Sequence, residues 1–380
     1  METNTAVHSL PPMSDNTVLK QIAFEDLPAW EDQDFKKIFA AFLVSCRSIL
    51  EADEAVRPAK PAPESLKTIS KHALLHIPAN SPHDIQQFFE RCFTAYHIIP
   101  ESRSGFLTAY YEPEIDGSPI QTPEFSIPVL ERPEGLVSIA QGSLGGLDLV
   151  SARDINGRLY PLPDRAAIED GALNSEGLEL VWFKDRVELF MMHVQGSGRV
   201  RFADGSVKRF TYAGRNGYPY TSIGKALIAE GYMQLETMTL ASLKNWLRAN
   251  PVEAARIMRL NQSYIFFAPA DHIPAHSGPI GGSGVCLTPH YSIAIDRHIW
   301  AYGLPFFVET ALPRLDGRLE PIAHIMIGQD TGSAILGAAR ADYFMGCGDE
   351  AGDLAGLVRH PMTMTVLWPN TPPNLEPIIS

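Results

Sequence analysis

The spacing of apolar residues divides the chain into helical and extended stretches. From Glu31 to Asp53, Ile38, Phe42, Cys46 and Ile49 recur at intervals of four, four and three, which predicts an amphipathic helix. Ile85, Phe88, Phe89 and Cys92 predict a second helix over His83 to His97, and a Pro- and Ala-rich linker from Ala55 to Pro63 lies between the two. Gly105 to Pro113 is an aromatic strand closed by proline. Residues 114–177 are rich in turn formers. Two strands are predicted next, Leu178 to Phe183 and Val187 to Val194, joined by Lys184-Asp185-Arg186. Arg199 to Ala203 and Ser206 to Tyr212 flank Asp204-Gly205, a strong hairpin signal. Three helical patterns fill about 221–260, the last opening on Asn250-Pro251. Short strands return from Tyr264 to Trp368, and no fixed repeat period is present.

Composition narrows this picture. At about 150 residues per domain, 380 residues suggest two domains, enough for a core without disulfide or metal staples. There are 31 Lys plus Arg against 44 Asp plus Glu, so the formal charge is −13. Without a basic stripe that charge argues against a nucleic-acid partner, because phosphate neutralisation needs clustered cations. Thirty prolines beside 29 glycines favour strands and turns over a helical bundle. No run of 18 apolar residues is present to span a membrane as a helix. Met1 to Lys20 lacks a basic region and an apolar core, so it is not read as a secretory signal. Leu43-Val-Ser-Cys46 looks like a lipoprotein cleavage box, but it sits on the face of the first helix and is read as core. Cys46, Cys92, Cys286 and Cys347 form no C-x-x-C pair, which excludes a zinc ribbon, and their three possible pairings are not separable from sequence.

Several segments carry candidate chemistry. Gln195-Gly-Ser-Gly198 fits either a close backbone approach to a ligand or a simple bulge. Tyr212 to Tyr220 gathers aromatics, Arg and Asn in a Gly-rich loop, suited to a sugar-binding wall or to a well-packed turn. Gly224-Lys225 lacks the rest of a phosphate loop. His72 and His76, one helical turn apart without a third ligand, are read as surface histidines, and no metal site is expected. In the last third, Asp296, Asp330 and Asp342 follow or adjoin predicted strands in a region poor in charge. Three such acids either converge on one cleft and divide acid and base work, or are unrelated turn residues. Asp330-Thr-Gly-Ser333 matches an aspartic-protease loop, but the chain has no second copy, and Gln329 stands where an apolar residue is expected.

In series these segments resemble the membrane-bound lytic murein transglycosylase A family. The resemblance rests on Leu27-Pro-Ala-Trp30, Thr108-Ala-Tyr-Tyr-Glu-Pro113, Leu178 to Trp182 and Val194-Gln-Gly-Ser-Gly198. It continues through Tyr212-Ala-Gly-Arg-Asn-Gly217, Ser222-Ile-Gly-Lys225, Asn261 to Phe267 and the three-aspartate segment from Ser292 through Asp330 to Asp342, covering about 24–368. It implies a mainly β fold: a six-stranded double-psi β-barrel with flanking helices plus a smaller inserted β-barrel domain, with a glycan groove between them. The expected domains are a polar tail at 1–22, the barrel from 23–113 and 263–368, the insert at 114–262, and a C-terminal tail at 369–380.

The resemblance further implies cleavage of the β-1,4 bond from N-acetylmuramic acid to N-acetylglucosamine in peptidoglycan, leaving a 1,6-anhydro sugar. Asp330 is the catalytic acid by that match, and Asp296 and Asp342 are supporting carboxylates. Tyr111, Gln195, Ser197, Asn216 and Tyr220 are the candidate substrate-binding residues. No cofactor is expected. The expected partner is the peptidoglycan glycan strand, with cell-wall enzyme complexes beyond it, and the chain itself is expected to be a monomer. The location inferred from the substrate is the periplasm, with association to the outer membrane. An ordinary glycosidase uses two carboxylates, whereas here the sugar's own C6 hydroxyl is the nucleophile, so one suffices. The rivals are a β-1,4 glycan hydrolase using a carboxylate pair and a non-catalytic peptidoglycan-binding module.

Overall fold

The computed structural model describes residues 13, 17–51, 54–77, 81–101, 104–235, 237–274 and 277–370. Most of the polar tail and all of 371–380 therefore lie outside the described residues. The chain forms two compact units, one drawn from Met1–Tyr110, Ile280–Gly346 and Val358–Ser380, the other from Tyr111–Pro279 and Cys347–Leu357.

The first unit is a closed barrel with helices against it. Its strands are β1 (Val18–Ile22), β2 (Phe93–Ile99), β3 (Gly105–Glu112), β4 (Ser292–Ile295), β5 (Pro305–Pro313), β6 (Leu319–Asp330), β7 (Arg340–Cys347) and β8 (Arg359–Pro369). Six of them close in the order β8-β5-β6-β4-β7-β3, because β8 pairs with β5 through Val366 to Thr363 and with β3 through Met362 to Arg359. The far end of β8 pairs with β2, and β2 with β1. β4 and β6 run parallel, and between Ile293 and Ala294 the register skips Gln329, leaving one extra residue in β6 just before its end.

The helices of this unit are α1 (Phe35–Glu51), α2 (Glu64–His76) and α3 (Pro82–Cys92). α3 opens on Ser81, whose hydroxyl accepts the Asp84 amide, with Pro82 in the first turn. The helix expected over His83 to His97 stops at Cys92. The run Phe93-Thr-Ala-Tyr-His-Ile-Ile is aromatic and β-branched, and it joins the sheet as β2. Val18–Ile22 likewise leaves the expected tail to pair with β2; its side chains stay largely exposed, so hydropathy gave no sign of it. Between α1 and α3 lies an aromatic cluster of Phe39, Phe42, Phe88, Phe89 and Phe93, all but unexposed, with Phe42 edge-on to Phe93 at 5.9 Å. Cys46 is buried on the same helix, as core, and all four cysteines are free thiols. His72, expected at the surface, is buried and stacks on Phe88; the His76 side chain lies outside the described residues.

The second unit holds a six-stranded sheet ordered Ile265–Pro269, Val207–Arg215, Ser197–Arg201, Glu114–Ser118, Glu179–Phe183 and Ile127–Leu130, whose two edges meet at a Glu131–Phe267 bridge. Ile115, Val129, Phe183, Met192, Val200 and Phe267 fill its core. The Asp204-Gly205 hairpin forms as expected. Val187–Val194 does not form a strand: Arg186–Gln195 is an α-helix. Asp185 caps it by accepting the Val187 amide at 2.8 Å, and Gly196 ends it in the left-handed conformation, φ 81°. A short apolar run has no period of its own, and here the two caps decide the outcome. Glu112 is fully buried yet satisfied, with Arg209 and Arg199 donating at 2.8 and 2.9 Å.

Truncating Phe42 to alanine removes a ring that four other phenylalanines enclose. The Phe42→Ala variant should lose about 3–5 kcal/mol of unfolding free energy in a denaturant titration, unlike a change at exposed Leu50 on the same helix.

Candidate active site

β6 ends on a pair of polar residues that go to different neighbours. Gln329 is fully buried. Its amide nitrogen donates to the Ala41 carbonyl at 2.9 Å and the Ser45 hydroxyl at 2.8 Å, both on α1, while its side-chain oxygen accepts the Ser292 hydroxyl. Its main-chain carbonyl accepts the Ser283 hydroxyl at 2.6 Å. Gln329 is also the extra residue of the β4–β6 register, so these bonds fix where the next side chain points. The polar residue that looked misplaced before Asp330 is therefore the anchor of the site.

Asp330 accepts three hydrogen bonds. Oδ1 takes the Gly282 amide at 2.7 Å and the Thr331 amide at 2.8 Å, and Oδ2 takes the Tyr110 hydroxyl at 2.7 Å. A Cβ at position 282 would come within 2.7 Å of the Tyr302 hydroxyl, and one at 281 within 2.6 Å of the Gln329 carbonyl. Only glycines let this backbone reach the carboxylate. Arg57 lines the same place: its amide donates to the Gly282 carbonyl at 2.9 Å, its guanidinium to the Thr331 carbonyl at 3.0 Å, and its own carbonyl accepts the Tyr302 hydroxyl at 3.0 Å.

These contacts act against each other on the proton of Asp330. Enclosure by protein raises its pKa above the usual aspartate value; the Arg57 charge and the three hydrogen bonds pull it down, and the raising effect wins. Asp342 is raised as well, first by burial, and the charge of Asp330 adds to the rise. Thr108 donates to Asp342 and in turn accepts from Arg340 at 2.7 Å. Asp342 lies inside β7 and not at a strand end. Asp296 is used differently: Oδ1 accepts the His298 amide at 2.9 Å and Oδ2 the Gly337 amide at 2.7 Å, tying two loops together.

The remaining expected residues lie in the second unit. Asn216 is fully buried and spends its side chain on main chain, donating to Pro163 and Gln262 and accepting from Tyr264. Gln195 accepts the Tyr111 amide at 3.1 Å. Tyr111 is buried with its ring against Gly352, and Ser197 is buried at the start of its strand. Tyr220 is the most exposed of the five, at 36% of its surface, while burial around its hydroxyl raises that group's pKa. Sequence reasoning missed Tyr110, Gly282 and Arg57. Tyr110 was the neglected half of a tyrosine pair, the Gly281-Gly282 pair was the available signal for the second, and Arg57 sat in a segment read as linker. Among the described residues no group of three or more His, Cys, Asp or Glu is placed to hold a metal.

Comparison with known proteins adds the family. Residues 106–268 match the model described as the MltA specific insert domain, and 291–368 match the 3D domain. The chain is 38% identical over 203 residues to membrane-bound lytic murein transglycosylase A of Vibrio cholerae, covering 52% of this chain and 54% of that protein. It is 32% identical over 259 residues to the Escherichia coli protein of the same name, covering 67% and 62%. The alignments thus span only about half to three-fifths of those curated relatives. Among solved structures, a membrane-bound lytic murein transglycosylase from Agrobacterium tumefaciens superposes with TM-score 0.82 at 35% identity, covering 92% of this chain and 97% of that one. MltA from Neisseria gonorrhoeae gives TM-score 0.72 at 30% identity, with coverage of 96% and 95%. With whole-length likeness to these structures, and with the 3D-domain match enclosing all three aspartates, the chain belongs to the membrane-bound lytic murein transglycosylase A family.

Proposed function

We propose that the chain is a lytic transglycosylase that cleaves the β-1,4 bond between N-acetylmuramic acid and N-acetylglucosamine in peptidoglycan and leaves a 1,6-anhydro end. The observation that carries this reading is the setting of Asp330: one carboxyl, raised in pKa, held by main-chain amides on one oxygen and by a tyrosine on the other. Asp330 starts protonated and donates to the leaving O4 as the anomeric bond breaks. The C6 hydroxyl of the same sugar then attacks the anomeric carbon, and Asp330, now ionised, takes its proton. The substrate supplies the nucleophile in place already, so no water has to be localised.

The names of the relatives support peptidoglycan as the substrate class, and through it a periplasmic site of action. Those relatives are called membrane-bound; among the described residues here, no helix is long and apolar enough to cross a membrane. We take the barrel, 23–113 and 263–368, as the catalytic domain and 114–262 as the insert, a division supported by the insert-domain match to 106–268. Tyr220, the most exposed of the five expected residues, remains the candidate for contact with a sugar. A hydrolase needs a second carboxylate to activate water. Asp296 has both oxygens on main-chain amides, which leaves Asp342, near enough for the Asp330 charge to raise its pKa, as the residue such a reaction would use.

Mass spectrometry of sugars released from purified peptidoglycan separates these readings. Products one water lighter than hydrolysis fragments, without a reducing end, are expected; reducing-end products would transfer the role of base to Asp342. Asp330→Asn should retain the wild-type melting temperature while turnover falls ~10² to 10⁴-fold. The raised pKa sets the pH dependence. The acid must be protonated, so activity is present below the folded-state pKa of Asp330 and is lost as pH rises through it. That descending limb should therefore lie above about 3.9, the value of an unperturbed aspartate.

A further inference from the structure

Tyr110 touches the reacting carboxyl, and the hydrogen-bond pattern gives it a definite task. Both donors at Oδ1 are main-chain amides, from Gly282 and Thr331, which can neither turn away nor give up their hydrogens. Oδ1 is therefore an acceptor in either protonation state, and the acid's proton is confined to Oδ2. The described donor at Oδ2 is the Tyr110 hydroxyl, 2.7 Å away. Tyr110 is buried at the inner end of β3, with its ring tilted against Phe344 on β7 at 5.3 Å, so its position is set by packing and not by the bond itself. Burial first, and then the neighbouring Asp330 charge, hold its own pKa well above that of a free tyrosine. Its hydroxyl thus keeps its proton and does not compete with Asp330 as a base.

We infer that Tyr110 is a positioning residue for the lytic reaction, which holds Oδ2 and stabilises the charge that forms there as the proton leaves. The inference rests on the function proposed above and adds a residue to it. While Oδ2 carries the proton, the tyrosine bond is a weak one to a neutral acid. As the O–H bond breaks and the proton passes to the leaving O4, Oδ2 becomes anionic and the same bond becomes charge-assisted and stronger. An interaction that tightens along the reaction lowers the barrier and leaves ground-state binding largely unchanged. When the C6 hydroxyl returns a proton to Oδ2, the bond relaxes to its starting strength.

Removing the hydroxyl therefore has two consequences of known sign. The ionised form of Asp330 loses a donor, so its pKa rises further, and the transition state loses charge stabilisation. Tyr110→Phe keeps the ring against Phe344 and serves as the test. Selective ¹³C labelling of aspartate carboxyls, with Asp330→Asn used to assign the signal, reads the pKa of Asp330 directly and without activity. The expected result is an upward move of roughly 1 to 2 pH units in the variant. In parallel, the descending limb of kcat should move up by a similar amount. The low-pH plateau of kcat should fall roughly ten- to a hundredfold with KM nearly unchanged, and adding Tyr110→Phe to Asp330→Asn should cost nothing more. An unmoved Asp330 titration would overturn the inference, as would a plateau within twofold of wild type. If wild-type protein released no anhydro sugar at all, the proposed function would fail, and the titration would still decide the Tyr110–Asp330 bond.

Discussion

The site depends on where the extra residue of β6 is stored. A strand that gains one residue against its parallel neighbour has to put that residue somewhere, and Gln329 is put in the core with its side-chain donors and acceptor bonded to α1 and β4. A buried primary amide left unpaired costs about 1–3 kcal/mol per missing bond, so this arrangement has few alternatives. The bulge, the helix and the serine at the head of β4 are mutually required, and Asp330 inherits its direction from them. The carboxyl is placed by a neighbour whose own side chain is turned wholly into the core.

Around Asp330 the protein solves two opposed problems. A general acid must be protonated at the start, which enclosure favours, and must then be able to exist as an anion, which donors favour. The donors are divided unequally between the oxygens. Rigid main-chain amides hold one, and a side-chain hydroxyl meets the other, so the two sides of the same carboxyl are held unlike each other. Asp296, a third aspartate of the same segment, accepts two main-chain amides and links the 296–298 turn to the loop that leads into β7. Equivalent letters in a motif thus carry unlike physical roles.

Much of this could be read from the chain, and the failures have identifiable causes. The hairpin at Asp204-Gly205 and the first amphipathic helix follow from strong local signals, a two-residue turn and a helical period. The helix at 186–195 was hidden because a short apolar run lacks a period and its caps, Asp185 and Gly196, were read as a turn and a bulge. β1 was hidden because its pairing is made by main chain alone. Tyr110 was overlooked because successive strand residues face opposite ways, and only its three-dimensional partner shows that it is the one that meets the carboxyl. Asn216 looked like a sugar ligand by type and proved to be main-chain cement. Arg57 could not have been found from its surroundings, since its meaning comes from carbonyls more than two hundred residues away.

That last feature has a consequence for how the enzyme comes into being. The segment at 57–60 is stitched to Gly282, Arg297 and Thr331, so the parts around the carboxyl are contributed by stretches remote from one another in the chain. Closing such long loops is entropically costly and slow, and the contacts that reward it form late. During synthesis the helices and the Asp204-Gly205 hairpin can form from neighbouring residues, but the acid has neither its amides nor its tyrosine in place until chain beyond residue 331 has emerged and doubled back. The surroundings of Asp330 are thereby the last part of the fold to be completed, and the chain topology alone sets that order.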